Sequence, residues 1–394
     1  MNELQRFKAV VNFEKPDYYP IFGFSGAPGF AGGCYEVTRQ KLIAEGMPSY
    51  VGGGYTNDTF TNSELINLKS WHQYWGVTGP DYIDFFPADP TGNEIAYEVR
   101  VEGDFEILEY ETGEITRQVI DNDVTYSMPE FIRYPVRDRA SWEFYKEKTR
   151  PGKRWSDEKI KAACAKYKNR TRPLGIGVGN TWGMIRDLMG TVAASTLLYD
   201  DMPLAKDMID HIRWRNREYI FPLIEELRPE IMQGGEDLCY KSGMLISPEH
   251  FNELCGPLYA ECAEVARACG VDLFTLDNDG NCMQFVDVVE KLGVNGMFPF
   301  EVKAGNDLFE LRKKHPKFIL AGWLEKEIVN EGNGHMIRDE IMQKVPPLLE
   351  KGGYFPNGDH GIQPFITFEN LCKLMTLLHE VTGNPEGDFP RIYP

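Results

Sequence analysis

Eight short apolar runs, most of them followed by a helical pattern, restrict the fold of this chain more than any other feature. They lie near residues 19, 82, 174, 231, 273, 295, 318 and 353. Neighbouring parallel strands need a long crossover, which a helix supplies, so strand–helix alternation implies a parallel sheet. Eight such units predict a closed (β/α)8 barrel, an α/β TIM barrel spanning residues 1–394 as one domain. The competing fold is an open doubly wound sheet. No spaced G-x-G-x-x-G follows a strand, which argues against a dinucleotide site of that kind.

The pattern predicts an N-terminal extension and one insertion. In residues 2–12, Leu4, Phe7, Val10 and Val11 share a helical face. The first strand, Tyr19–Phe24, runs into the glycine-rich S-G-A-P-G-F-A-G-G. Residues 94–133 change texture: Ile95–Val101 and Phe105–Tyr110 are β-prone, with turns at Gly103 and Thr112-Gly113. They predict an inserted β-meander. Further on, Met202–Glu226 reads as one long helix. Ser247-Pro248-Glu249 reads as the start of another that runs to Gly270.

Charge narrows the partners. Sixty acids against 42 bases leave a net charge of −18, which repels phosphate backbones and argues against nucleic acid. No apolar run is long enough for a membrane span. The N-terminus lacks a signal-peptide pattern, so a cytoplasmic protein is expected. None of the eight cysteines forms C-x-x-C; Cys255, Cys262 and Cys269 recur on one helical face and read as reduced core thiols.

A barrel carries its active site at the carboxyl ends of its strands. Asn180 and Trp182 follow the third strand, Glu236 and Asp237 the fourth, and Asp277 and Asp279 the fifth. Glu301 follows the sixth, Trp323 and Glu325 the seventh, and Asp359 and His360 the eighth. So many carboxylates in one mouth cannot all ionise without a compensating positive charge. Lys241 and Lys303 are the nearest bases in sequence. Carboxylates with an imidazole suit zinc, iron or manganese better than calcium or magnesium. Structural alternatives exist for each group. Asp277-Asn278-Asp279-Gly280 also reads as an Asx turn capping the next helix, and Glu236-Asp237 as a cap. Glu301 can pair with Lys303 on the surface. An EF-hand fails, because its glycine and glutamate positions would fall on Cys282 and Val288. With no G-x-S-x-G elbow, nucleophilic hydrolysis lacks support.

Several of these segments resemble the uroporphyrinogen decarboxylase superfamily, and more closely its corrinoid-dependent methyltransferase branch. They are F-x-K-P-D-Y-Y-P near the start, S-P-E-x-F at Ser247, L-D-N-D-G-N, F-P-F-E-V-K-A-G-N-D at 298–307, and G-G-Y-F-P-x-x-D-H-G-I-x-P. The resemblance implies a (β/α)8 barrel with a metal or tetrapyrrole site at its carboxyl mouth. In the thiol-methylating branch a histidine and a cysteine two residues apart follow one strand, and a second cysteine follows the last. Here Asp277 and Asp279 stand where the first pair would be, and His360 where the last cysteine would be. An oxygen-rich site suits polarising an ether or alcohol oxygen rather than activating a thiol. The arginine-rich motif of the decarboxylase branch is missing from the first glycine-rich loop.

The resulting expectation is a zinc-dependent methyltransferase. It moves methyl from a methoxylated aromatic donor to cobalamin carried by a partner corrinoid protein. Asp279, His360 and Glu236 are the expected metal ligands, with Asp277 and Glu301 as the catalytic carboxylates. Trp182, Asn180, Phe24 and Phe300 are expected to line the substrate. A homo-oligomer is compatible with this, the meander either pairing subunits or covering the site. Alternatives are a decarboxylase, a thiol-methylating enzyme, and a non-catalytic tetrapyrrole- or corrinoid-binding protein.

Overall fold

The computed structural model describes residues 1–24, 29–55, 65–83, 95–120, 129–150 and 155–394. In chain order come helix α1 (Glu3–Val11), strand β1 (Asp81–Ile83), and the insertion strands β2 (Tyr97–Glu102), β3 (Phe105–Tyr110), β4 (Ile115–Val119) and β5 (Glu130–Arg133). The later strands are β6 (Leu174–Gly179), β7 (Ile231–Gly235), β8 (Leu273–Asn278), β9 (Gly296–Pro299), β10 (Ile319–Leu324) and β11 (Tyr354–Gly358). Seven strands form one parallel sheet in the order β11-β10-β9-β8-β7-β6-β1, curled and surrounded by helices. This is a TIM-barrel-like α/β fold.

The expected first strand is reduced to a single parallel bridge, Phe22 to Thr78. Side-chain chemistry supports it. Asn357 of β11 donates Nδ2–H to the Phe22 carbonyl at 3.1 Å and accepts the Phe30 and Gly358 N–H groups. One buried amide thus links the last strand to the segment that follows the N-terminal helix. Pro20 and Gly23 flank the bridge and shorten the ladder there.

Side chains alternate along the strands as a pleat requires. Ile231, Leu273, Phe298, Ile319, Ala321 and Phe355 form the inner cluster with Phe22 and Phe24, and Phe7 and Val10 of α1 pack into it. Asn2 and Gln5 cap α1 reciprocally. Met232, Phe274, Leu276, Met297 and Leu320 point the other way, into the larger layer between strands and helices.

The insertion is a four-stranded antiparallel sheet in the order β2-β3-β4-β5. Two expected long helices are broken. Met202–Arg215 passes through a wider turn at Asn216–Ile220, where Asn216 reaches the Val178 carbonyl, before Phe221–Leu227 resumes. The helix from Pro248 restarts at Gly256 and closes at Gly270, with φ of 71°. All eight cysteines are free thiols. Among the described residues no helix is long and apolar enough to cross a membrane.

Candidate active site at the carboxyl mouth

Strand β8 delivers the central acids. Asp277 is its fifth residue and pairs in register with Gly235 of β7 and Phe298 of β9. Phe298 stacks on Phe24 with ring centroids 4.7 Å apart, so an aromatic wall stands beside the half-buried Asp277. Loss of water, then the nearby charges of Asp279 and Asp237, push its carboxyl well above the usual range. Asp279 is pushed up to about 7, first by burial and then by Asp237 and Glu301; Lys326 and Arg186 pull the other way.

Neither acid caps the following helix. Met283–Val289 begins at Cys282 without a side-chain cap, and Asn281, not an aspartate, accepts the Met283 N–H. Freed from capping, Asp279 stands with Oδ2 3.9 Å from Nε2 of His360. Burial, followed by the charge of Lys326, lowers the His360 pKa and favours neutral imidazole. Glu301 accepts the Gly280 N–H at 3.0 Å and lies 3.6 Å from the Lys326 ammonium. Asp277, Asp279, Glu301 and His360 are therefore brought together.

Buried amides hold these loops. Asn306 accepts the Cys282 N–H and donates to the carbonyls of Gly280 and Glu301, tying the β8 exit to the β9 exit. Asn278 accepts the Leu238 N–H and donates to the Asp279 carbonyl. Asp359 accepts the N–H groups of Val302 and Lys326, and burial raises its pKa to about 6. Asp237, Phe300 and Trp323 hold left-handed backbone, with φ of 45°, 58° and 68°. Such conformations cost non-glycine residues energy and concentrate at functional sites.

Other expected positions differ. Glu236 is 1% exposed and both its oxygens are occupied. Oε1 accepts Thr181 N–H and Oγ1–H and the Tyr259 hydroxyl; Oε2 accepts Gly183 N–H. It secures the start of the Trp182–Met189 helix, a structural role that the sequence reading of this residue as a metal ligand did not include. Trp182 and Phe300 are each 0% exposed and lie in the strand–helix layer, so neither walls a substrate. Phe24 stays in the inner cluster beside Phe298. Asn180 is half-buried just beyond β6. Lys303 pairs with Glu325 and Glu327 rather than with Glu301.

Two cations escaped the sequence reading. Lys326 opens the helix after β10, and Arg186, on the Trp182–Met189 helix, contacts the Asp237 carboxylate at 3.2 Å and its carbonyl at 2.8 Å. Sequence spacing from the strands carried no signal for either. For a zinc ion, the donor types fit in kind: a neutral imidazole beside carboxylates that resist ionising alone. Among the described residues, however, no three His, Cys, Asp or Glu side chains are arranged to hold a metal. The His360–Asp279 pair supplies two donors.

Comparison with known proteins bears on this geometry. None of the curated proteins compared with the chain matches it. A solved structure described as a methyltransferase from Methanosarcina mazei is similar in fold, with a TM-score of 0.56 at 14% identity. The match covers 96% of this chain and 99% of that one. Residues 124–381, about two thirds of the sequence, match the family described as Uroporphyrinogen decarboxylase (URO-D). The chain belongs to the uroporphyrinogen decarboxylase family.

Proposed function

We propose that this protein is a methyltransferase that removes a methyl group from a methoxylated aromatic compound and passes it to the cobalt of a corrinoid carried by a separate protein. The observation that carries this reading is the grouping of Asp277, Asp279 and Glu301 with His360 at the strand ends. Cleaving an aryl methyl ether leaves a phenoxide, which needs a proton or a positive charge as it departs. Asp277, whose proton is held tightly, would donate it to the leaving oxygen. Glu301, braced by Gly280 N–H and Lys326, holds the Asp279 loop in place during that transfer.

His360 and Asp279 would hold a zinc ion, which would supply Lewis-acid polarisation of the ether oxygen. The proton route through Asp277 does not depend on it. Phe24 and Phe298, stacked in the inner cluster beside Asp277, give the strand ends an apolar aromatic backing that is compatible with an arene. The fold likeness to the methyltransferase from Methanosarcina mazei supports the choice of barrel scaffold.

Decarboxylation is the second reading, favoured by the family match. A substrate bearing several carboxylates would add its charges to a mouth whose acids already resist ionising beside one another, with Lys326 and Arg186 as the nearby cations, and such a lining suits it poorly. The test is to mix the protein with reduced cobalamin and a panel of methoxyarenes, methylamines and methanol while following the cobalt spectrum. Methylcobalamin forming with the methoxyarenes supports the proposal; an unchanged spectrum with every donor rejects it.

A further inference from the structure

Among the described residues the insertion sheet ends in an uncovered edge. All six residues of β2 are exposed, and β3 covers only one side of it among the described residues. The sequence Tyr97-Glu98-Val99-Arg100-Val101-Glu102 alternates strictly, placing Tyr97, Val99 and Val101 on one face and Glu98, Arg100 and Glu102 on the other. Those three apolar side chains are 50%, 50% and 63% exposed. A long unpaired edge of this kind is a template for another strand.

The phase of the free backbone groups follows from the β2–β3 ladder. Tyr97 pairs with Tyr110 in register, and Glu111 N–H bonds the Ala96 carbonyl at 2.8 Å. Alternation then points the backbone groups of the even-numbered residues at β3 and those of Tyr97, Val99 and Val101 outward. Charge is incomplete on the same edge. Glu98 lies directly opposite Glu109, and no cation pairs with it among the described residues. Among the described residues Arg100 pairs only with Glu102 of its own strand.

We propose that β2 pairs antiparallel with β2 of a second copy of this chain about a two-fold axis at Val99. In that register Val99 faces the second copy's Val99, and Tyr97 faces Val101, with their outward N–H and C=O groups exchanged. Glu98 then faces the second copy's Arg100 at both ends of the seam, which sets a cation opposite each Glu98. Shifting the axis to Arg100 sets Arg100 against Arg100 and Glu98 against Glu102, and like charges opposite each other destabilise a sheet. Shifting it to Val101 restores opposite charges but overlaps only Arg100–Glu102 within the strands. One register alone satisfies backbone phase, charge and overlap together, and it is isologous, as a two-fold dimer requires.

Sedimentation equilibrium of the full chain over a wide concentration range tests this, with circular dichroism confirming that each variant is folded. The wild type is expected at twice its 45.0 kDa chain mass. Arg100→Glu sets acid against acid at both ends and should weaken the dimer by about tenfold or more. The exchange variant Glu98→Arg/Arg100→Glu recreates the complementary pairs and should restore it. Val99→Pro removes only an outward N–H, so it should give monomer with the β2–β3 ladder intact. A wild type that stays monomeric overturns the proposal. So does a dimer indifferent to Arg100→Glu and Val99→Pro, or an exchange variant that fails to recover.

Discussion

His360 of the last strand exit and Asp279 of the β8 exit face each other across the mouth, Nε2 to Oδ2, at 3.9 Å. They are 81 positions apart in sequence (360 − 279), and the curvature of the sheet brings them together. An imidazole held neutral beside a carboxyl group offers the two ligand types that a zinc ion takes. On the proposed zinc reading, His360→Ala should lower the zinc content of the purified protein and slow methyl transfer by about a hundredfold. Elemental analysis beside the cobalt assay checks both. Full activity after complete chelation would remove zinc from the mechanism.

Proton linkage at Asp279 gives a separate prediction. Its folded pKa, about 7, lies above the ordinary value of 3.8, so the folded protein binds the proton more tightly than the unfolded chain. The stability contributed by that proton is present below pH 3.8 and is lost as pH rises toward 7. Asp279→Asn has no such loss. In metal-free protein its melting temperature relative to wild type should rise between pH 4 and pH 7 and level off above. A difference that stays flat with pH would show that Asp279 titrates normally.

Asp277→Asn should leave the fold intact and slow methyl transfer by roughly a hundredfold or more, the scale of a lost general acid. The loss should shrink for donors whose phenoxide is already a good leaving group, because they need the proton least. Single-turnover rates for a series of ring-substituted methoxyarenes measure this. An equal loss across the series would assign Asp277 to binding rather than to proton donation.

Glu236→Ala removes a carboxylate that four donors share, leaving Thr181, Gly183 and Tyr259 groups orphaned in the core. The expected cost is about 3 kcal/mol of unfolding free energy, read by urea denaturation. Glu236→Gln should keep most of that stability and leave zinc content unchanged. Zinc lost with Glu236→Gln would return this residue to the metal site.

The barrel was legible because alternating apolar runs and helices leave few ways to pack. The acids at strand exits were legible because polar residues gather at one end of the sheet. What escaped is set by tertiary approach. Lys326 and Arg186 reach the mouth from helices, at distances no spacing rule encodes. Trp182 and Phe300 follow strand ends, as mouth residues do, yet both turn into the layer between strands and helices. For Phe300 a left-handed backbone accompanies that turn, and nothing in a single phenylalanine announces it. Glu236 looked like its neighbour Asp237 in sequence; only the proximity of Thr181 and Tyr259 distinguishes them.

The most direct measurement follows a labelled methyl group. The protein is incubated with reduced corrinoid and a methoxyarene carrying the label on its methyl carbon, and products are resolved by NMR. The expected result is labelled methyl on cobalt with an equal amount of the demethylated phenol. Label remaining on oxygen, while the same preparation releases carbon dioxide from a carboxylated tetrapyrrole, would contradict methyl transfer and restore the decarboxylase reading.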